Sequence, residues 1–335
     1  MCPSSNSTTA NHGGDTPITA VHPDIIQSHI LNRLDGPTLV STACASAQLL
    51  NLCSDDHLWK DICNSTWPST AHAAVADAIS AFRSGHRSFY SDSFPVPRRQ
   101  SRKTYEKRIN TETSKYISAV DIFYDDVLIY SKVFETETLS GWFLSSPFRL
   151  ELLEQKETVA TPLKFDGEDG ACMSLAEERL RVSWILIDPA KKRAVNVGSV
   201  KAVESRRHWM TEEIELRYTA VMAAGGGELV QFGVVVTCRG EDGGALKIGE
   251  VCMLVEDIDG KIVTGWDSLG ILQEAMEGQR WKSDGKVERD IYEMFLRRKV
   301  ESRERKEMRE RNLDVVCIAT VCSIFFAIWV FFISR

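Results

Sequence analysis

Residues 22–68 read HPDIIQSHILNRLDGPTLVSTACASAQLLNLCSDDHLWKDICNSTWP, and their short apolar stripes decide how the N-terminal part of the chain folds. Pro23 suits a first helical position, Ile26, Ile30 and Leu34 recur at i+4, and Gly36-Pro37 stops the turn. A second short helix is predicted from Pro37 to Cys44 and a third from Ala47 to Cys53. Asp55 then caps a fourth, which carries Leu58, Trp59 and Ile62 and finishes near Trp67-Pro68. Four helices in so short a stretch bury little core alone, so the unit is expected to complete its apolar surface against a partner.

The same run resembles a plant F-box: Pro-Asp-Ile-Ile opens it, Ile-Leu-x-x-Leu-Asp follows in the first helix, and Leu58-Trp59 closes it. Its Ala-Cys-x-Ser stretch and Trp67-Pro68, with a C-terminal membrane span, are similar to a small plant group that includes the cytokinin-induced F-box protein. The resemblance implies a module that binds the Skp-type linker subunit, and through it the cullin, of an SCF ubiquitin ligase. Pro23, Ile25, Ile26, Ile30, Leu31, Leu34, Leu39, Leu58 and Trp59 would supply the partner surface and its supporting core. His22 departs from the leucine common before the opening proline.

The C-terminal end sets the second expectation. Val315 to Ile333, VVCIATVCSIFFAIWVFFI, is 19 residues without a charge, about 28 Å of helix against a hydrocarbon core of about 30 Å. Twelve of these are Val, Ile or Phe; at roughly 0.3 to 0.6 kcal/mol each they favour insertion by about 4 to 7 kcal/mol. The stretch is predicted to be a tail anchor, with residues 1 to about 312 in the cytosol. Arg297, Arg298, Lys299, Arg303, Arg305, Lys306, Arg309 and Arg311 upstream agree with the positive-inside tendency. The endoplasmic reticulum or nuclear envelope fits the span better than the mitochondrial outer membrane. The sequons at Asn6 and Asn64 fall on the cytosolic side and are expected to stay bare.

Between these ends the period of the pattern becomes two. Ile214, Leu216, Tyr218 and Ala220 alternate with Glu213, Glu215, Arg217 and Thr219; Val230, Phe232, Val234, Val236 and Cys238 alternate likewise. RLRVSWILIDPAKKRAVNVGSV, 179–200, reads as two strands joined at Asp188-Pro189, and 225–227 and 240–244 punctuate further turns. The fold class is therefore α+β, with an antiparallel sandwich or barrel as the β part. The expected organisation is a disordered tail over 1–19, the F-box over 20–68, and a helix with a basic, proline-containing linker over 69–112. A β-rich substrate-binding domain over 113–282, a charged helical stalk over 283–312 and the anchor over 313–335 complete it. In detail, Ala71 to Arg83 is predicted helical, the stretch from 84 reads as linker, and Arg98, Arg99, Arg102, Lys103, Lys107 and Arg108 form a basic cluster in it. In the stalk, Val287, Ile291 and Phe295 make an apolar stripe, and Glu301/Arg305, Arg303/Glu307, Lys306/Glu310 and Glu307/Arg311 are spaced i to i+4.

The 335 residues carry net charge −7, with 43% hydrophobic and 26% charged, an ordinary globular composition that gives nucleic acid no basic face to meet. Nine cysteines with no CxxC pair argue for buried thiols in a reducing compartment, against zinc and against a disulfide framework. No P-loop, GxGxxG turn, GxSxG elbow or HExxH occurs, so no cofactor and no catalytic residue is expected. VEDIDGKIVTGW, 255–266, puts Val255 and Trp266 where a calcium loop needs carboxylates and is read as a hairpin turn. His208, beside Arg206, Arg207 and Trp209, is read as a surface residue. The leading expectation is a non-catalytic ligase adaptor at a membrane surface. Its rival is an anchored lectin-like or lipid-binding protein.

Overall fold

The computed structural model describes residues 21–93, 113–165, 170–224, 228–240, 244–278, 280 and 285–335. The expected N-terminal tail, the basic cluster at 98–108 and the 225–227 turn lie outside the described residues. The chain divides into two compact units, residues 1–66 and 67–335.

The first unit holds α1 (Pro23–His29), a 3-10 turn (Leu31–Arg33), α2 (Gly36–Ala43), α3 (Ala47–Leu52) and α4 (Asp56–Thr66). Short polar side chains start these helices: Asp35 Oδ1 accepts from Thr38 N at 3.0 Å and Ser46 Oγ from Leu49 N at 3.2 Å. Asp55 Oδ1 accepts from His57 N at 3.0 Å, which is the cap read from the sequence. Ile26, Leu31, Leu39, Leu49, Leu58 and Trp59 are buried.

The second unit opens with a 3-10 turn (Pro68–Ala71), α5 (Ala73–Ser80) and α6 (Gly85–Ser93). Here the structure corrects the expectation of a linker from residue 84, because Gly85–Ser93 is helical and buries Phe89 and Tyr90. Both rings meet Trp67, with centroids at 6.1 and 5.5 Å. Trp67 thereby belongs to this unit and not to the end of the N-terminal module.

Two antiparallel sheets follow. β1 (Lys115–Tyr124), β2 (Val127–Glu137), β5 (Leu180–Asp188) and β6 (Arg193–Asn196) form a four-stranded sheet in the order β2-β1-β5-β6. β3 (Arg149–Glu151), β10 (Ala245–Asp257), β9 (Leu229–Arg239), β8 (Ile214–Ala223) and β7 (Glu204–Arg207) form the other, where β4 (Val159–Lys164) also pairs with β10. Their inner faces share one core, in which Val120, Ile122, Val182 and Trp184 meet Leu216, Tyr218, Phe232, Val234 and Met253. The alternating residues read from the sequence in β8 and β9 are the ones in this core. Asp188 pairs with Arg193 across the turn expected at Asp188-Pro189, and its Oδ1 accepts from Ala190 N and Lys191 N, each at 3.0 Å. β5 is buried along both faces, as its unbroken WILI run requires.

α7 (Gly141–Ser145), α8 (Gly170–Arg179) and α9 (Gly265–Glu277) pack at the margins of the sheets, and α10 runs unbroken from Gly285 to Ile333. Gly265 has a specific reason to be glycine, since a Cβ there would run into the carbonyl of Phe143. At the base of α10 the predicted stripe packs in part: Phe295 is fully buried against Val221 and Leu229, with Ile291 beside them, whereas Val287 is exposed.

Candidate partner-binding face

The N-terminal helices bury one member of each of four adjacent apolar pairs and leave the other in water. Ile26, Leu31, Leu39 and Leu49 are buried, whereas Ile25, Ile30, Val40 and Leu50 are 50%, 39%, 46% and 45% exposed. Neighbours on a helix point about 100° apart, so a single thin layer cannot take both. Four large aliphatic side chains facing solvent on so small a unit are what a protein contact would cover.

The residues singled out in the sequence thus fall into two sets. Ile26, Leu31, Leu39, Leu58 and Trp59 are interior; Pro23, Ile25 and Ile30 are exposed, and Leu34 is half-buried. Trp59 braces the interior set, its indole Nε1 donating to the Cys53 carbonyl at 2.7 Å across the α3–α4 connection. Gln27 bonds Asp55, which ties α1 to the start of α4. His22 is the N-cap of α1, its Nδ1 accepting from Asp24 N at 3.4 Å, so it supplies a polar cap where leucine is common. Sequence reasoning missed Val40 and Leu50. The signal was present in the doublets Leu39-Val40 and Leu49-Leu50, since only one of each pair fits the interior.

The 255–266 stretch is the hairpin turn expected: Asp257 Oδ1 accepts from Asp259 N and Lys261 N at 2.9 Å each, and Gly260 has φ +80°. His208 is half-buried, and its Nδ1 accepts from Thr211 N at 3.2 Å. Among the described residues no group of three or more His, Cys, Asp or Glu is placed to hold a metal ion. Burial pushes the Cys63 and Cys238 thiols up to about 12 and Cys252 to about 11. Arg280, half-buried and donating to the carbonyls of Asp92, Ala275 and Ala194 at 2.8, 2.6 and 2.7 Å, is pulled down to about 10 chiefly by desolvation. Among the described residues α10 is the one helix long and apolar enough to cross a membrane.

The chain thus joins a small helical unit that exposes four aliphatic side chains to a separate β-rich unit. Comparison with known proteins narrows the class. The chain is 42% identical over 337 residues to F-box protein At2g27310 of Arabidopsis thaliana, covering 96% of this chain and 98% of that one. It is 40% identical to F-box protein At3g44326 of the same plant, over 93% of this chain and 90% of the relative. With the probable F-box protein At2g36090 it shares 39% identity, over 90% of this chain and 89% of the relative. No family profile matches the chain, and no solved structure matches it. At such identity over nearly the whole length, the chain belongs to the F-box protein family.

Proposed function

We propose that this chain is a non-catalytic substrate-recognition subunit of an SCF-type ubiquitin ligase, held at a membrane by the apolar end of α10. The N-terminal unit would bind the Skp-type linker, and through it cullin, with Ile25, Ile30, Val40 and Leu50 in contact and Ile26, Leu31, Leu39, Leu58 and Trp59 holding the helices beneath them. Pro23 and Leu34 would border that face. The β-rich unit would hold a protein target. Ubiquitin transfer belongs to other subunits, and this chain would contribute proximity, raising the effective concentration of target near the catalyst.

The observation that carries the reading is the set of four split apolar pairs, which leaves a surface to be covered in a family of F-box proteins. The span reading rests on the uncharged stretch 315–333, exposed throughout on a helix long enough to cross, and on the basic residues before it. It agrees with the group of plant F-box proteins bearing a C-terminal span, and with an endoplasmic reticulum or nuclear envelope location. Mass spectrometry of a mild-detergent pulldown tests the proposal. The Skp-type linker and cullin should co-purify with the wild type and be absent with an Ile25→Asp, Ile30→Asp variant that still folds. Their absence from the wild-type pulldown would sink it.

A further inference from the structure

The contacts of α10 with the β unit run in order along the helix. Arg289 donates to Glu177 at 2.7 Å, Tyr292 bonds Glu204, and Phe295 enters the pocket of Val221 and Leu229. One turn on, Lys299 Nζ lies 3.4 Å from Glu256, whose other oxygen lies 3.7 Å from Arg217. Arg217 also meets Glu215 at 3.4 Å and Glu204 at 3.9 Å, so three acidic residues and two basic ones interlock under the helix. Last, the Asp257–Lys261 turn reaches up to it: Ser302 Oγ donates to Asp259 Oδ1 at 3.0 Å and Lys306 Nζ to Asp259 Oδ2 at 2.6 Å. Gly260 closes that turn with φ +80°, a backbone conformation that L side chains rarely adopt.

From these contacts we infer that α10 is a clamped lever and not a free stalk: its first six turns are fastened to the β unit up to Lys306, with Asp259 as the terminal latch. Beyond the latch the same helix continues unbroken to Ile333. Only residues 307–314 separate it from the apolar stretch, about 12 Å of helix. Resting on the span reading above, this deepens it: the β unit is held at a fixed tilt beside the bilayer, and the target segment it takes is one that lies close to the membrane surface. A flexible tether would instead let the unit sweep a volume set by linker length.

The test is a pair of spin labels on the full chain in lipid nanodiscs, at Lys247→Cys in β10 and Met308→Cys beyond the latch, with the native exposed cysteines replaced by alanine. Pulsed dipolar spectroscopy should give one narrow distance in the wild-type background. Asp259→Ala with Lys306→Ala, both at the surface, should broaden it, and a Gly-Gly-Ser insertion after Lys306 should broaden it further. A wild-type distribution as broad as that of the insertion variant would overturn the clamp, as would a latch variant indistinguishable from wild type. Flotation of the same samples reads the span separately, so a narrow distance in protein that fails to float would reject the membrane reading and leave the clamp standing.

Discussion

Ser69 holds Asp121 with two bonds, its N–H reaching Oδ1 at 2.9 Å and its hydroxyl reaching Oδ2 at 2.6 Å, across 52 residues of sequence. The carboxylate sits fully buried on the outer side of β1 and takes a third bond from Ser131 at 2.7 Å. This is how the segment after the N-terminal unit becomes part of the sheet's covering.

Asp121→Ala should strand buried donors and destabilise the second unit by about 1 to 3 kcal/mol for each group left unpaired. Asp121→Asn keeps an acceptor and isolates the charge. Burial raises the Asp121 carboxyl above its ordinary range, against the opposing pull of the Ser69 and Ser131 bonds. The fold therefore prefers the protonated form, so this contribution is full below the ordinary carboxylate pKa and is lost as pH rises through the raised folded value. In urea titrations from about pH 4 upward the wild type should lose ground to Asp121→Asn. Parallel curves would remove the argument.

Binding and folding should separate within the N-terminal unit. Ile25→Asp or Ile30→Asp should weaken capture of a Skp-type linker by about 2 kcal/mol or more, near thirtyfold, with the helical circular dichroism unchanged. Trp59→Ala should instead cost about 3 to 5 kcal/mol of stability, since the ring is 1% exposed and loses its bond to Cys53. Calorimetric titration beside thermal melts distinguishes the two kinds of loss.

Two glycines of α9 should respond oppositely to the same change. Gly270→Ala meets nothing within 4 Å and should stabilise by about 0.5 to 1 kcal/mol through helix propensity. Gly265→Ala drives a methyl into Phe143 and should destabilise by about 1 to 3 kcal/mol. Equal melting temperatures for the two variants would contradict the packing described.

Thiol chemistry should follow burial. Brief treatment of the native protein with iodoacetamide, read by peptide mass spectrometry, should mark exposed Cys44 and spare Cys53, Cys63, Cys172, Cys238 and Cys252. Marking of Cys63 at the rate of Cys44 would mean that the N-terminal unit opens readily.

Replacing Ile324 and Phe325 by arginine should shift the chain from the membrane pellet to the soluble fraction. Each central arginine costs about 2.5 to 3.5 kcal/mol, which offsets most of the insertion gain of the stretch. A double variant that still sediments with membranes would place the attachment elsewhere.

How much of this was legible before the structure varied with the range of the interactions. The alternation in β8 and β9 was plain because each strand buries one face in a single core. The helix at Gly85–Ser93 was hidden, since HRSFYSDS is mostly polar and is held by distant partners, Trp67 against Phe89 and Tyr90 and Arg193 bonded to Asp92 at 2.7 Å. On the candidate face, the doublets advertised surplus apolar surface. Which member of each turned outward was set by packing among four helices, and that no local pattern encodes.

The boundary between Thr66 and Trp67 has a practical meaning for exchange of parts. Trp67 packs edge-on against Phe89 and at a tilt against Tyr90 of the second unit, so a cut after Pro68, where the sequence resemblance ends, would carry away an aromatic that the β-rich unit needs. A cut at 66/67 leaves both interiors whole. On the adaptor reading proposed above, grafting a different N-terminal module there should yield a receptor that keeps its targets and changes the machinery it answers to.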